Sequence, residues 1–147
     1  MSNLVIAAVR AALTQNASVT ALVPASSITS AYRLDVGTLP AIVLTVQADE
    51  AVSPAIDRTD CLRRIAVAVE CIAGSLADSR TIGETVRIAM HGAKGTAFST
   101  QVQEIRESGI TTTYDVGAEG TETGIHITVV TVEAYYTSTA TSPTIIT

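Results

Sequence analysis

The chain has 147 residues, of which 47% are hydrophobic but only 3% aromatic, enough for one domain with a core of Val, Ile, Leu and Ala. A net charge of −5 and an isoelectric point near 4.9 exclude a surface that grips nucleic acid through clustered Lys and Arg. The charges balance up to residue 98, and beyond it Arg106 alone stands against Glu104, Glu107, Asp115, Glu119, Glu122 and Glu133, so the acidity belongs to the last third.

The first segment, "SNLVIAAVRAALTQN", sets Leu4, Ala8, Ala11 and Ala12 at helical spacing, with Ile6, Val9 and Leu13 widening the apolar stripe and Ser2 as N-cap. Arg10 interrupts that run and no basic start precedes it, so neither a signal peptide nor a membrane span is expected, here or later. "SVTALVP" reads as a short turn ending at Pro24, and "SSITSAYRL" as a first strand. "LPAIVLTVQADE" is a clear strand with Ile42, Leu44 and Val46 on one face, Val43 and Thr45 on the other, and Pro40 at its start. Residues 49–60 read as a polar connector around Pro54. In "CLRRIAVAVECIA" the odd positions Cys61, Ile65, Val67, Val69 and Cys71 make a core face. The even positions Leu62, Arg64, Ala66, Ala68 and Glu70 make a small, half-polar one.

A helix follows Gly74, with Ser75 as N-cap, Asp78 in the first turn and Gly92 beyond its end. Its stripe of Leu76, Ile82, Val86, Ala89 and Met90 is expected on the odd face of the preceding strand, Val86 against Val69. After a loop at "GAKGTAF", two long strands, "STQVQEIRESGITTTY" and "TGIHITVVTVEAYYT", flank the Gly-rich "DVGAEGTE", a hairpin signal. The expected fold is α+β, two helices packed on a mostly antiparallel sheet with a long C-terminal hairpin. It forms a single domain over 1–136, followed by a Ser/Thr-rich tail at 137–147 that is flexible or held by a partner.

The residues offer little chemistry. "GSLADSR" lacks phosphate-loop spacing, and "GAKGT" follows a helix rather than opening one. His91 suits a helix C-terminus, and His126 sits alone in a strand, so a metal site is not expected. Cys61 and Cys71 lie at opposite ends of one strand, roughly 33 Å apart at about 3.3 Å per residue, too far for a disulfide. They read as reduced, buried thiols. Neither carboxylate pair, Asp49/Glu50 or Glu104/Glu107, has a catalytic partner in sequence. No enzyme activity and no cofactor are expected.

The order of elements resembles the tail-terminator (tail-completion) proteins of long-tailed bacteriophages. The matching features are the strand start at Leu39 and Pro40, the alternating strand ending near Val69 to Ile72, Ser79 and Arg80 near the helix start, and "VRIAMHG" (Val86 to Gly92) at its end. The N-terminal helix with its Leu22–Val23 turn also matches. The resemblance implies a virion protein of the tail neck, assembled in the host cytoplasm as a ring, commonly a hexamer. Such a ring caps the tail tube, ends its polymerisation and joins the head's connector, while DNA passes through the lumen without specific binding. It implies no catalytic residue and no membrane. The Thr-rich extension from Thr137 to Thr147 departs from the family pattern. Asp49, Glu50, Asp57, Arg58, Asp60, Glu119, Glu122, Ile145 and Ile146 are the expected assembly contacts, since they lie on polar segments or in the tail. The alternatives are another neck ring, such as a head-completion or stopper protein, and a small-molecule-binding α+β module.

Overall fold

The computed structural model describes residues 2–30, 39–53, 60–91, 95–97, 100–115 and 125–139. Helix α1 spans Ser2–Thr14, α2 Ala17–Thr20 and α3 Leu76–Met90; strands are β1 Ile28–Thr29, β2 Ala41–Ser53, β3 Asp60–Ala73, β4 Gly95–Ala97, β5 Thr100–Asp115 and β6 Ile125–Thr139. The six strands form one sheet in the order β1-β2-β3-β6-β5-β4. All neighbours are antiparallel except β1, which runs parallel to β2. The α+β expectation holds, with a third helix added.

Register fixes which side chains share a face. Cys71 pairs with Thr128, Val69 with Val130, and Val67 with Val132, while Ile42 and Leu44 of β2 stand opposite Cys71 and Val69. Alternation therefore puts the odd positions of β3 and the even positions of β6 on one side. That side carries the helices. Val5, Val9 and Leu13 of α1 and Ile82, Val86 and Met90 of α3 join Ile42, Leu44, Ile65, Val67, Val69, Cys71, Val130, Val132, Ala134 and Tyr136 in one core. Each such aliphatic side chain adds about 1.5–3 kcal/mol when fully buried. The expected Val86–Val69 interface belongs to this core.

Helix α3 comes closest to the sheet at β6. A Cβ on Gly83 would lie 2.5 Å from Thr128 Cγ2, and Thr128 Oγ1 lies 3.1 Å from Ser79 Oγ in a buried hydrogen bond. Only glycine lets the helix sit that low. Ser75 caps α3 as expected, its Oγ accepting from the Asp78 amide at 3.2 Å. Leu76, expected in the buried stripe, is 39% exposed, and Ser79 is buried in its place. The first turn presents Leu76 to solvent because the buried face follows 79, 82, 83, 86 and 90.

Several elements depart from expectation. Ser2 is itself helical instead of capping α1. The turn expected over 18–24 begins inside α2, capped by Asn16 Oδ1, which accepts from the Ser18 and Val19 amides at 3.0 and 3.2 Å. The strand expected over 26–34 is a 3-10 turn at Ala25–Ser27 and two strand residues, with 31–38 outside the described residues. The loop at "GAKGTAF" contains β4. β6 continues to Thr139, past the end expected near Tyr136. The hairpin expectation is met, since β5 and β6 pair antiparallel from Asp115 and Ile125 onward.

The most consequential difference concerns the polar connector at 49–60. Residues 49–53 are strand, continuing β2 beyond a bulge at Gln47, with Asp49 opposite Ile65, Glu50 opposite Arg64 and Ala51 opposite Arg63. Residues 54–59 lie outside the described residues.

Candidate assembly surface

Asp49 and Glu50, adjacent on β2, point to opposite faces of the sheet, and each meets its own arginine. On the helix side, Arg63 Nε donates to Asp49 Oδ1 at 3.0 Å and Nη2 to the Asp49 carbonyl at 3.3 Å. The Tyr136 hydroxyl donates to the same carboxylate, 3.0 Å from either oxygen. One carboxylate thus ties β2, β3 and β6 together. Its hydrogen bond holds Arg63 protonated more firmly than usual, against a small burial penalty. Burial first, and then the Asp49 carboxylate, push the Tyr136 hydroxyl above its ordinary value.

On the other face, Arg64 is ion-paired with Glu50 and, at 3.4 Å, with Glu133 of β6. The Tyr135 hydroxyl donates to Glu133 Oε2 at 3.3 Å, and the Arg106 guanidinium of β5 lies over the Tyr135 ring at 5.3 Å. These groups cross four strands. Further along this face the side chains turn apolar, with Val43, Ile72, Ile125 and Ile127 buried in a second cluster flanked by Leu39 and Val129. Between the two zones stands Glu70, in register with Val43 and Val129. Its Oε2 is buried without a hydrogen-bond partner, and burial raises its carboxyl pKa.

Among the described residues the sheet has two long open edges. β1 covers β2 only at Ile42 and Val43, and β4 covers β5 only at Thr100 to Val102. Among the described residues no strand pairs with the outer edge of β2 from Leu44 onward, opposite its β3 side, or with the outer edge of β5 from Gln103 onward, opposite its β6 side. Val46 and Val52 on β2 are 39% and 48% exposed, and Ile110 on β5 is 36% exposed. A groove of about 460 Å³ runs beside the β2 edge, lined by Ile6, Ala7 and Arg10 of α1, Ser30, and Leu44, Thr45 and Val46. Arg10 closes one end by donating to the Ile28 carbonyl at 2.8 Å.

Of the expected contacts, Asp49 and Glu50 fall together at this end of the sheet, and Asp60 opens β3 beside it, paired with Thr139. Asp57, Arg58, Glu119, Glu122, Ile145 and Ile146 lie outside the described residues. The sequence reading missed Arg63, Arg64, Glu133, Tyr135 and Tyr136. An Arg-Arg pair one hairpin away from an Asp-Glu pair was the signal, since opposite charges favour facing positions across strands.

Cys71 is buried and unpaired, its thiol pushed up to about 12 by burial and then by the neighbouring Glu70, so it carries no thiolate at neutral pH. Among the described residues no group of three His, Cys, Asp or Glu side chains forms a metal cluster, and no helix is long and apolar enough to cross a membrane.

Comparison with known proteins gives this arrangement a family. Residues 7–137, from the first helix through the last strand, match the profile of tail completion protein gp17. The chain belongs to that family. The resemblance to bacteriophage tail-completion proteins, expected from the order of elements, is borne out. Among solved structures, a chain from the virion of a native gene transfer agent particle superposes with a TM-score of 0.65 over 93% of this chain and 97% of its own. At 12% identity that likeness speaks for the fold. No curated protein matches the sequence closely enough to count as a relative. A tail-completion protein is a structural part of the virion, and in this member the polar clusters at 49–50, 63–64 and 133–136 brace strands.

Proposed function

We propose that the subunit closes into a ring, hexameric as the family resemblance implies, that caps the finished tail tube. The ring stops tube polymerisation and presents its upper surface to the head-completion or connector protein. DNA passes through its lumen without specific contacts. The reading is carried by the family match over residues 7–137, and the two open sheet edges fit a protein that works assembled. The net charge of −5 suits a channel that does not grip phosphate. The protein works at the virion neck after assembly in the host cytoplasm, with the tail tube protein and the head connector as partners, and it carries out no catalytic step.

Deleting the gene from a phage that carries it tests the proposal by electron microscopy of the lysate. Over-long tails separate from filled heads are expected, with normal particles restored by supplying the protein in trans. Tails of normal length that fail only in joining heads would move the protein to a stopper ring, and infectious particles of normal form would overturn the neck assignment.

A further inference from the structure

We infer that the open edge of β2 in one subunit pairs with the open edge of β5 in the next copy of this chain, so that the sheets run on from subunit to subunit. This deepens the ring reading proposed above and rests on it.

Four observations carry the inference. The two open edges lie at opposite ends of one sheet, so a contact between them is head-to-tail, the type that generates rings. The strand directions also fit. β2 and β5 run in opposite senses, because three antiparallel steps separate them. A copy rotated about an axis along the strands therefore brings β5 antiparallel to its neighbour's β2, with every helix layer on the same side. The caps are placed diagonally. β1 blocks β2 at its start, Ile42 and Val43, and β4 blocks β5 at its start, Thr100 to Val102, which is the other end of the sheet. Among the described residues, the outer edges of 44–53 and 103–115 are left open, and they fit together when one copy is shifted along the strands so that both caps clear. Such a shift is what a closed sheet requires.

The fourth observation is the pattern of exposed apolar side chains. Val46 and Ile110 stand on the helix side of the two edges, beside Val67 and Val130 of the core, yet remain 39% and 36% exposed. Edge pairing covers both, and it closes the groove bounded by Ile6, Arg10 and Leu44. Each edge strand also carries two register irregularities, at Gln47 and Val52 on β2 and at Gln103 and Ser108 on β5. Such bulges blunt an edge against indiscriminate strand addition, so the pairing is confined to the regular stretches between them.

Two single variants and their mixture test the inference. Val46→Lys places a charge on the β2 edge and Ile110→Lys places one on the β5 edge, both at exposed positions. With wild-type protein forming rings in native mass spectrometry, alone or on added tail tubes, each variant is expected to be a folded monomer by circular dichroism. Mixed in equal amounts they should form a dimer and no ring, since each supplies the edge that the other lacks. Thr45→Arg and Thr111→Arg, both at exposed positions, repeat the test should either lysine variant misfold. Rings formed by the single variants, or a mixture that stays monomeric, would overturn the edge pairing while the ring reading stands. Wild-type protein that is monomeric even on tail tubes would overturn both.

Discussion

The two faces of the sheet are stabilised by different physics. Beneath the helices, apolar side chains from all three helices and five of the strands fill one continuous core in which the Tyr136 ring is also buried. The opposite face changes along the strands. It is apolar around Val43, Ile72 and Ile127, and at the far end it is held by ions between Glu50, Arg64 and Glu133. The first face specifies the subunit, because burial is large and loss of any piece is costly. The second contributes little stability where it is charged, and is free to differ for other reasons.

That contrast can be broken most severely at Val86, which is fully buried in α3. Val86→Asp buries an unpaired charge and should cost at least about 4 kcal/mol, leaving the protein insoluble on expression. A soluble, cooperatively melting Val86→Asp protein would show that the helix face is not the core.

A smaller loss is expected where the core meets its polar rim. Tyr136→Phe keeps the ring but removes both contacts to Asp49, and should lower the urea-derived stability by about 1–2 kcal/mol. Because the folded state raises the Tyr136 pKa, its contribution is whole below pH 10 and falls as the hydroxyl ionises above that value. Wild type should therefore lose its advantage over the variant in strongly alkaline buffer, and an advantage unchanged up to pH 12 would count against the Asp49 bond.

Glu70 responds to pH with the same sign, but its replacement should stabilise the protein. Its carboxyl is raised by burial, so it favours folding below about pH 4.5 and opposes it as pH rises through the folded-state value. Glu70→Gln should stabilise the protein at pH 7 by less than about 1 kcal/mol, given solvent screening, and should be neutral near pH 4. Equal effects at both pH values would mean that desolvation is not the cause.

The smallest effect belongs to the charged end of the open face. Arg64→Ala should cost under about 1 kcal/mol, and the loss should shrink in 1 M salt. A larger, salt-independent cost would mean that this face is as structural as the other.

The legibility of the sequence followed the same division. Strand and helix patterns facing the core were readable because apolar periodicity survives without context. Ile65, Val67 and Val69 alternate, and Ser75 announces α3. Where ions and pairing replace burial, the pattern vanished. "ADEAVS" carries no strand alternation, yet it is strand, with Arg63 and Arg64 standing across from it. The same blindness hid most of the candidate assembly surface. Asp49 and Glu50 stand out in the sequence as charges, but their arginine and tyrosine partners lie on separate strands, and open edges are a property of the assembled sheet. Leu76 was misplaced because periodicity gives a stripe without saying where the first turn emerges from its neighbours.

The central pairing of the sheet also bears on timing. β3 bonds along its length to β6, from Asp60 with Thr139 to Ala73 with His126, and β6 is synthesised only after α3, β4 and β5. Until it emerges, β3 lacks its second neighbour, and α3 lacks the Thr128 seat under Gly83. Closing such distant strands is slow, on the order of milliseconds to seconds for sheets dominated by non-local contacts. The sheet is therefore finished only when the last strand has been made, and the slowest contacts to close are those on which its centre depends.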